Sequence, residues 1–187
     1  IVALARPRTD DVSSKTKTTQ GIDIVMAIDV SGSMLAKDLK PNRMEALKRV
    51  AGEFVEQRPN DRIGIVVYAS EAYTKTPVTS DKPLILDAIS SIKYDNVLKD
   101  GTGIGMGLTT AVNRLKDSKA KSKVIILMTD GVNNSGFIEP ETASDIAQQY
   151  GIKVYTIGIG TNGMAESPYA YAPNGRSFLY RMMPVEI

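Results

Sequence analysis

Ile22–Ser33 reads IDIVMAIDVSGS: an apolar run that ends abruptly in an acidic residue, two serines and a glycine. Such a run without helical spacing marks a strand buried on both faces, and its polar end marks the loop that leaves it. Three more runs repeat the pattern: Ile63–Tyr68 (IGIVVY), Val124–Met128 (VIILM) and Ile152–Ile159 (IKVYTIGI). Between them apolar residues recur at helical spacing. They are Met44, Leu47, Val50, Ala51, Phe54 and Val55, then Ile104, Leu108, Ala111, Val112 and Leu115, then Ala143, Ile146, Ala147 and Tyr150. Asn42 is placed to cap the first helix, Pro59-Asn60-Asp61 to stop it, and Gly151 to close the last one. Ala72–Thr76 reads as an edge strand leading to a helix at Leu84–Ile92. Strand and helix alternate, so the connections are expected to be right-handed crossovers. The predicted fold is α/β: a doubly wound, mainly parallel central sheet with helices on both faces and one antiparallel edge strand. Tyr169–Ala172, Pro173-Asn174-Gly175 and Ser177–Met182 predict a C-terminal β-hairpin, since Asn-Gly supplies the turn.

The chain has 187 residues, enough for one domain that buries about 70% of its unfolded surface. It contains no Cys and no His, which excludes disulfides, thiolate nucleophiles, Ser-His triads and Cys/His zinc sites. A metal bound here must sit on oxygen. The net charge of +2 lies wholly in residues 1–20, leaving 19 basic and 19 acidic groups beyond them. With three Phe and no Trp to stack on bases, no nucleic acid partner is expected. No apolar run approaches the roughly 18 residues of a membrane span. Ile1–Ala5, cut off by Arg6-Pro7-Arg8, reads either as the last turn of a membrane anchor or as a frayed terminus or short edge strand, with residues 1–20 as a lead and linker and 21–187 as the domain.

In an open α/β sheet, ligands collect beyond the carboxyl ends of the strands where the winding reverses. Three loops there carry oxygen-rich side chains: Asp29-Val30-Ser31-Gly32-Ser33 after the first strand, Gly101-Thr102-Gly103 before a helix, and Thr129-Asp130-Gly131 after the Val124 strand. If those two strands are neighbours, Asp29 and Asp130 stand side by side and repel unless a cation lies between them.

Asp29, Ser31, Ser33, Thr102 and Asp130 resemble, position for position, the metal-ion-dependent adhesion site of the von Willebrand factor type A family: DxSxS, then Thr, then Asp. The resemblance spans Gly21–Gly160. It implies that Ser31, Ser33 and Thr102 ligate Mg²⁺ or Mn²⁺ directly and that Asp29 and Asp130 bind mostly through water. It further implies a metal-dependent protein-binding module, not an enzyme, in which an Asp or Glu of a protein partner completes the ion's sphere. ALARPR (3–8), DVSGSM (29–34) and DGTGIGMGL (100–108) look most like the bacterial BatA/BatB aerotolerance-related proteins. That resemblance implies an anchored parent in the bacterial inner membrane with a periplasmic domain, acting in stress tolerance or assembly. Other Bat proteins and a MoxR-type AAA+ ATPase are the implied companions. Against the full pattern, a last helix and strand are expected beyond Ile187, so the sheet edge at Ile152–Ile159 is expected to be open or covered by the hairpin.

The competing reading is a Mg²⁺-dependent phosphoryl-transfer hydrolase. Such phosphatases use DxD after the first strand, whereas Ser31 stands at the second position and no His, Cys or suitably placed Lys replaces the missing acid/base. Gly101, Gly103, Gly105 and Gly107 lack the GK[ST] signature of a phosphate loop and read as close packing at a helix start. Asp95 and Asp100 read as solvated, as does the lysine-rich stretch Lys116–Lys123; Tyr169, Tyr171, Phe178 and Tyr180 read as hairpin packing.

Overall fold

The computed structural model describes residues 21–94, 98–131, 133–173 and 177–185. The expected lead segment, Asp95 and the Asn174-Gly175 turn lie outside them. Five strands form the central sheet in the order β3-β2-β1-β4-β5. Their ranges are β1 Asp23–Asp29, β2 Arg62–Tyr68, β3 Ala72–Thr79, β4 Lys123–Thr129 and β5 Ile152–Gly158. All pairings are parallel except β2 with β3.

Alternation within the strands sends every second side chain to each face, so both faces need a cover. Ile24, Met26 and Ile28 point to one side, with Ile63, Ile65 and Met128, against α1 (Arg43–Glu56) and α2 (Lys82–Ser90). Val25, Ala27, Tyr68 and Leu127 point to the other, against α3 (Ile104–Leu115) and α4 (Pro140–Gln149). Asn42 caps α1 by accepting from the Glu45 N–H at 2.9 Å. Gly151 takes φ +63° after α4, a conformation that favours glycine.

Of the two states expected for the sheet edge at Ile152–Ile159, open or covered by the hairpin, the first holds: β5 is an edge with no further strand beside it among the described residues. It is not the fully buried strand its apolar run suggests, with Tyr155 57% and Ile157 42% exposed. The hairpin does not cover that edge: β6 (Gly163–Tyr171) and β7 (Phe178–Val185) form a separate two-stranded sheet. Val50 and Tyr150 also face outward, although their spacing placed them on buried stripes.

The glycines opening α3 serve close packing, as expected. A Cβ on Gly107 would lie 2.5 Å from the Tyr68 ring, and one on Gly105 would lie 1.9 Å from the carbonyl oxygen of Ile138. Backbone cannot yield as a side chain can, so Gly105→Ala is expected to cost at least about 1–3 kcal/mol in overpacking. Urea denaturation checks this, and an unchanged midpoint would refute it.

Candidate metal centre

The chain leaves β1 toward β2 on one side and leaves β4 toward β5 on the other, so the winding reverses between β1 and β4. Ile28 pairs with Met128 in register, which brings Asp29 and Asp130 to the same sheet end. Asp29 is fully buried. Its Oδ1 accepts from the Ser31 N–H at 2.9 Å and its Oδ2 from the Thr129 hydroxyl at 3.0 Å. Burial pushes its carboxyl up to about 7, the charge of Asp130 adds to this, and the hydrogen bonds from Ser31 and Thr129 oppose it.

Ser31 begins a 3₁₀ turn, Gly32–Leu35, that swings Ser33 to the surface. Ser31 Oγ and Ser33 Oγ are 3.0 Å apart, and Ser33 Oγ donates to Asp130 Oδ1 at 2.9 Å. Thr102 is buried and lines the same cleft as Ser33, Asp130 and Gly131. Its N–H donates to Asn134 Oδ1 at 2.8 Å, and its carbonyl accepts from the N–H groups of Asn134 and Ser135. Gly101 precedes it with φ +126°, where a Cβ would collide with Ser135. All five expected residues thus occupy one sheet end, four of them joined through hydrogen bonds and Thr102 across the cleft.

The oxygen spacing fits a small hard cation. An octahedral ion with Mg–O bonds of about 2.1 Å sets neighbouring ligand oxygens about 3.0 Å apart. The Ser31–Ser33 separation matches that edge, and the Ser33–Asp130 hydrogen bond keeps a carboxylate beside it. Among the described residues no three acidic side chains converge, so an ion here depends on hydroxyl donors as well.

Four supporting residues, Arg43, Asp38, Asn133 and Asn134, were missed in the sequence. Arg43, at the start of α1, is buried between two carboxylates. Its Nη1 donates to Asp130 Oδ2 at 3.0 Å, and its Nε and Nη2 bind Asp38 at 2.8 and 2.9 Å. Burial opposes the guanidinium's charge, yet the bonds to Asp38 and Asp130 outweigh it and raise its pKa. Asp38 is pulled down despite burial, through Arg43 and the Thr161 N–H. Asn133 accepts from the Ile104 N–H at 2.9 Å, standing in for a cap that Gly103 cannot provide, while Asn134 clamps Thr102. An Asn-Asn pair after a strand was the available signal, since Asn side chains bond to nearby backbone. Asp100 is exposed as expected but also accepts from the Gly32 N–H at 2.8 Å, tying the Thr102 loop to the serine loop.

The family model of the von Willebrand factor type A domain matches residues 23–182. This chain belongs to that family. It is similar to BatB of Bacteroides thetaiotaomicron, with 30% identity and a TM-score of 0.75 over 89% of this chain and 82% of that one. An aerotolerance-related membrane protein of Bacteroides fragilis aligns with 29% identity and a TM-score of 0.74 over 86% and 81% of the two chains. A Borreliella burgdorferi protein of unassigned function is 36% identical over 87% of this chain and 47% of its own length. The chain therefore spans about half the length of the curated relatives it matches. Proximal thread matrix protein 1 from the mussel byssus, solved with a zinc-occupied MIDAS motif, aligns with 25% identity and a TM-score of 0.63 over 74% of this chain and 38% of that one. The fold and family thus support an adhesion or interaction module of the divalent-metal type. None of the described helices is long and apolar enough to cross a membrane.

Proposed function

We propose that this domain captures a protein partner through a bound Mg²⁺ or Mn²⁺ ion. Ser31, Ser33 and Thr102 hold the ion, Asp29 and Asp130 balance its charge largely through water, and an Asp or Glu of the partner completes its sphere. The observation that carries this reading is the convergence at one sheet end of hydroxyl and carboxylate oxygens from three separate loops, Ser31 and Ser33 3.0 Å apart and linked to Asp29 and Asp130, with Thr102 in the same cleft. Two features support it further. Both Asp29 oxygens are already engaged by protein donors, which suits a charge-balancing role. Phe137, on the loop that follows Asp130, is 95% exposed and so is open to contact by a partner.

The module acts without turnover. Asp130 is paired with Arg43, and Asp29 is fully buried with both oxygens held by protein donors, so neither carboxylate can reach a proton on an outside substrate. The similarity to BatB and to an aerotolerance-related membrane protein supports a place in a membrane-anchored bacterial complex for stress tolerance or assembly. In that setting the domain faces the periplasm from the inner membrane, and other Bat proteins and a MoxR-type AAA+ ATPase are its candidate partners.

The test is a pull-down from native membranes with magnesium and with chelator, alongside calorimetric titration of Mg²⁺. Capture is expected only with metal, and Ser31→Ala or Thr102→Ala should abolish it while leaving the circular dichroism spectrum intact. Undiminished capture in chelator would count against the reading. So would hydrolysis of a generic phosphoester that disappears in Asp29→Ala.

A further inference from the structure

The hairpin belongs to neither face of the sheet, yet it is fixed at both ends beside the candidate metal centre. At one end the Lys37 N–H donates to the Glu166 carbonyl at 3.0 Å, and Ala36 is buried with Ala165 and Val185. Lys37 Nζ also pairs with Glu166 at 2.9 Å and lies 4.0 Å above the Tyr180 ring. At the other end the Phe178 ring meets Tyr94 edge-on at 5.3 Å and Tyr171 at 4.5 Å. Tyr94 stands on the segment that leads to Thr102, and Lys37 follows the serine loop. The hairpin therefore bridges the two loops that supply the hydroxyl donors.

Beneath it lies a cleft of about 500 Å³, with Ser33, Thr102 and Asp130 on one side and Ser167, Tyr171 and Phe178 on the other. Ser167, on β6, is 8% exposed, and its hydroxyl has no hydrogen-bond partner among the described residues. An orphaned buried hydroxyl is costly and marks a place where a ligand group or water completes the structure. The cleft falls in the roughly 300–1,000 Å³ range of ligand pockets, room for a group about the size of a few side chains. Its walls come from the hairpin on one side and the loops on the other, a concave shape that suits an extended segment better than a flat surface.

We propose that the hairpin forms the second half of the ligand site and that the occupant is an extended segment of a protein partner. An acidic side chain reaches the floor, a neighbouring aromatic side chain packs against Tyr94, Tyr171 and Phe178, and Ser167 bonds to the segment. The rings supply edges and faces for such a contact, and the polar floor supplies the place for the charge. This rests on the reading that the acidic group goes to a bound ion.

Three short fluorescein-labelled peptides test it by fluorescence polarisation in magnesium and in chelator. One has aspartate between two phenylalanines, one has asparagine in place of the aspartate, and one has alanines in place of the phenylalanines. The first is expected to bind about tenfold more tightly than the third, the scale of one buried aromatic contact. It should exceed the second by at least as much in magnesium, and by nothing in chelator. Phe178→Ala should erase the preference for phenylalanine while calorimetric Mg²⁺ uptake stays unchanged, and Ser167→Ala should weaken the first peptide about fivefold, the scale of one hydrogen bond. Equal binding of the first and third peptides, with magnesium uptake intact, would overturn the role of the hairpin and spare the metal reading. Absence of magnesium uptake, or binding indifferent to chelator, would overturn both.

Discussion

Arg43→Met should destabilise the metal-free domain by about 3–5 kcal/mol, the cost of removing one partner from a buried ion pair. Arg43 serves two carboxylates, and the side chains of Arg43, Asp38 and Asp130 are each no more than 3% exposed. Methionine fills a similar volume, so the loss measures uncompensated charge more than a cavity. Arg43→Lys should fall between, because an ammonium cannot match the planar fork that holds Asp38 through two nitrogens while reaching Asp130. Urea denaturation of the three proteins in chelator checks the ranking. A loss under about 1 kcal/mol for Arg43→Met would mean that water screens these groups as it does a surface pair.

Asp29→Asn should move two measurements in opposite directions. In the metal-free domain the variant should be more stable, because a fully buried carboxylate whose ionised form is disfavoured by burial and by Asp130 has been made neutral. An asparagine oxygen can still accept from the Ser31 N–H, and its amide can donate to the Thr129 hydroxyl, so the loop keeps its shape. Magnesium affinity should fall about 10–100-fold, the usual cost of losing a supporting carboxylate near a bound ion. Chemical denaturation in chelator and calorimetric titration of Mg²⁺ read the two effects. A variant that is less stable without metal, or that binds magnesium as before, would refute the account of Asp29.

The central sheet was legible because a strand covered on both faces must be apolar throughout, and Ile24–Ile28, Ile63–Tyr68 and Val124–Met128 are. The five residues of the candidate site were legible for a related reason: polar side chains at strand ends have few other uses in this architecture. Arg43 was not. An arginine in the first turn of a helix ordinarily reads as solvated, and what buries it is Asp130, 87 positions away, together with Asp38. The exposure of β5 was legible only in part: its apolar run has the same composition at an edge as at the centre, and only the strand expected beyond it pointed to an edge there. The hairpin was under-read at its outer ends, where Pro168 and Pro184 look like breaks. Pro168 is tolerated because the register shifts beside it and the ribbon has only one partner per strand.

Along β5, the backbone N–H and C=O groups facing away from β4 have no neighbouring strand among the described residues, and Ile157 lies beside Val50, Leu39 and Ile159 in an apolar trough. A fifth strand left in this state is a template: any extended chain that meets it gains a ladder and a greasy seat together. In concentrated preparations of this chain, self-association should therefore begin at that flank, on the side of the sheet farthest from β3.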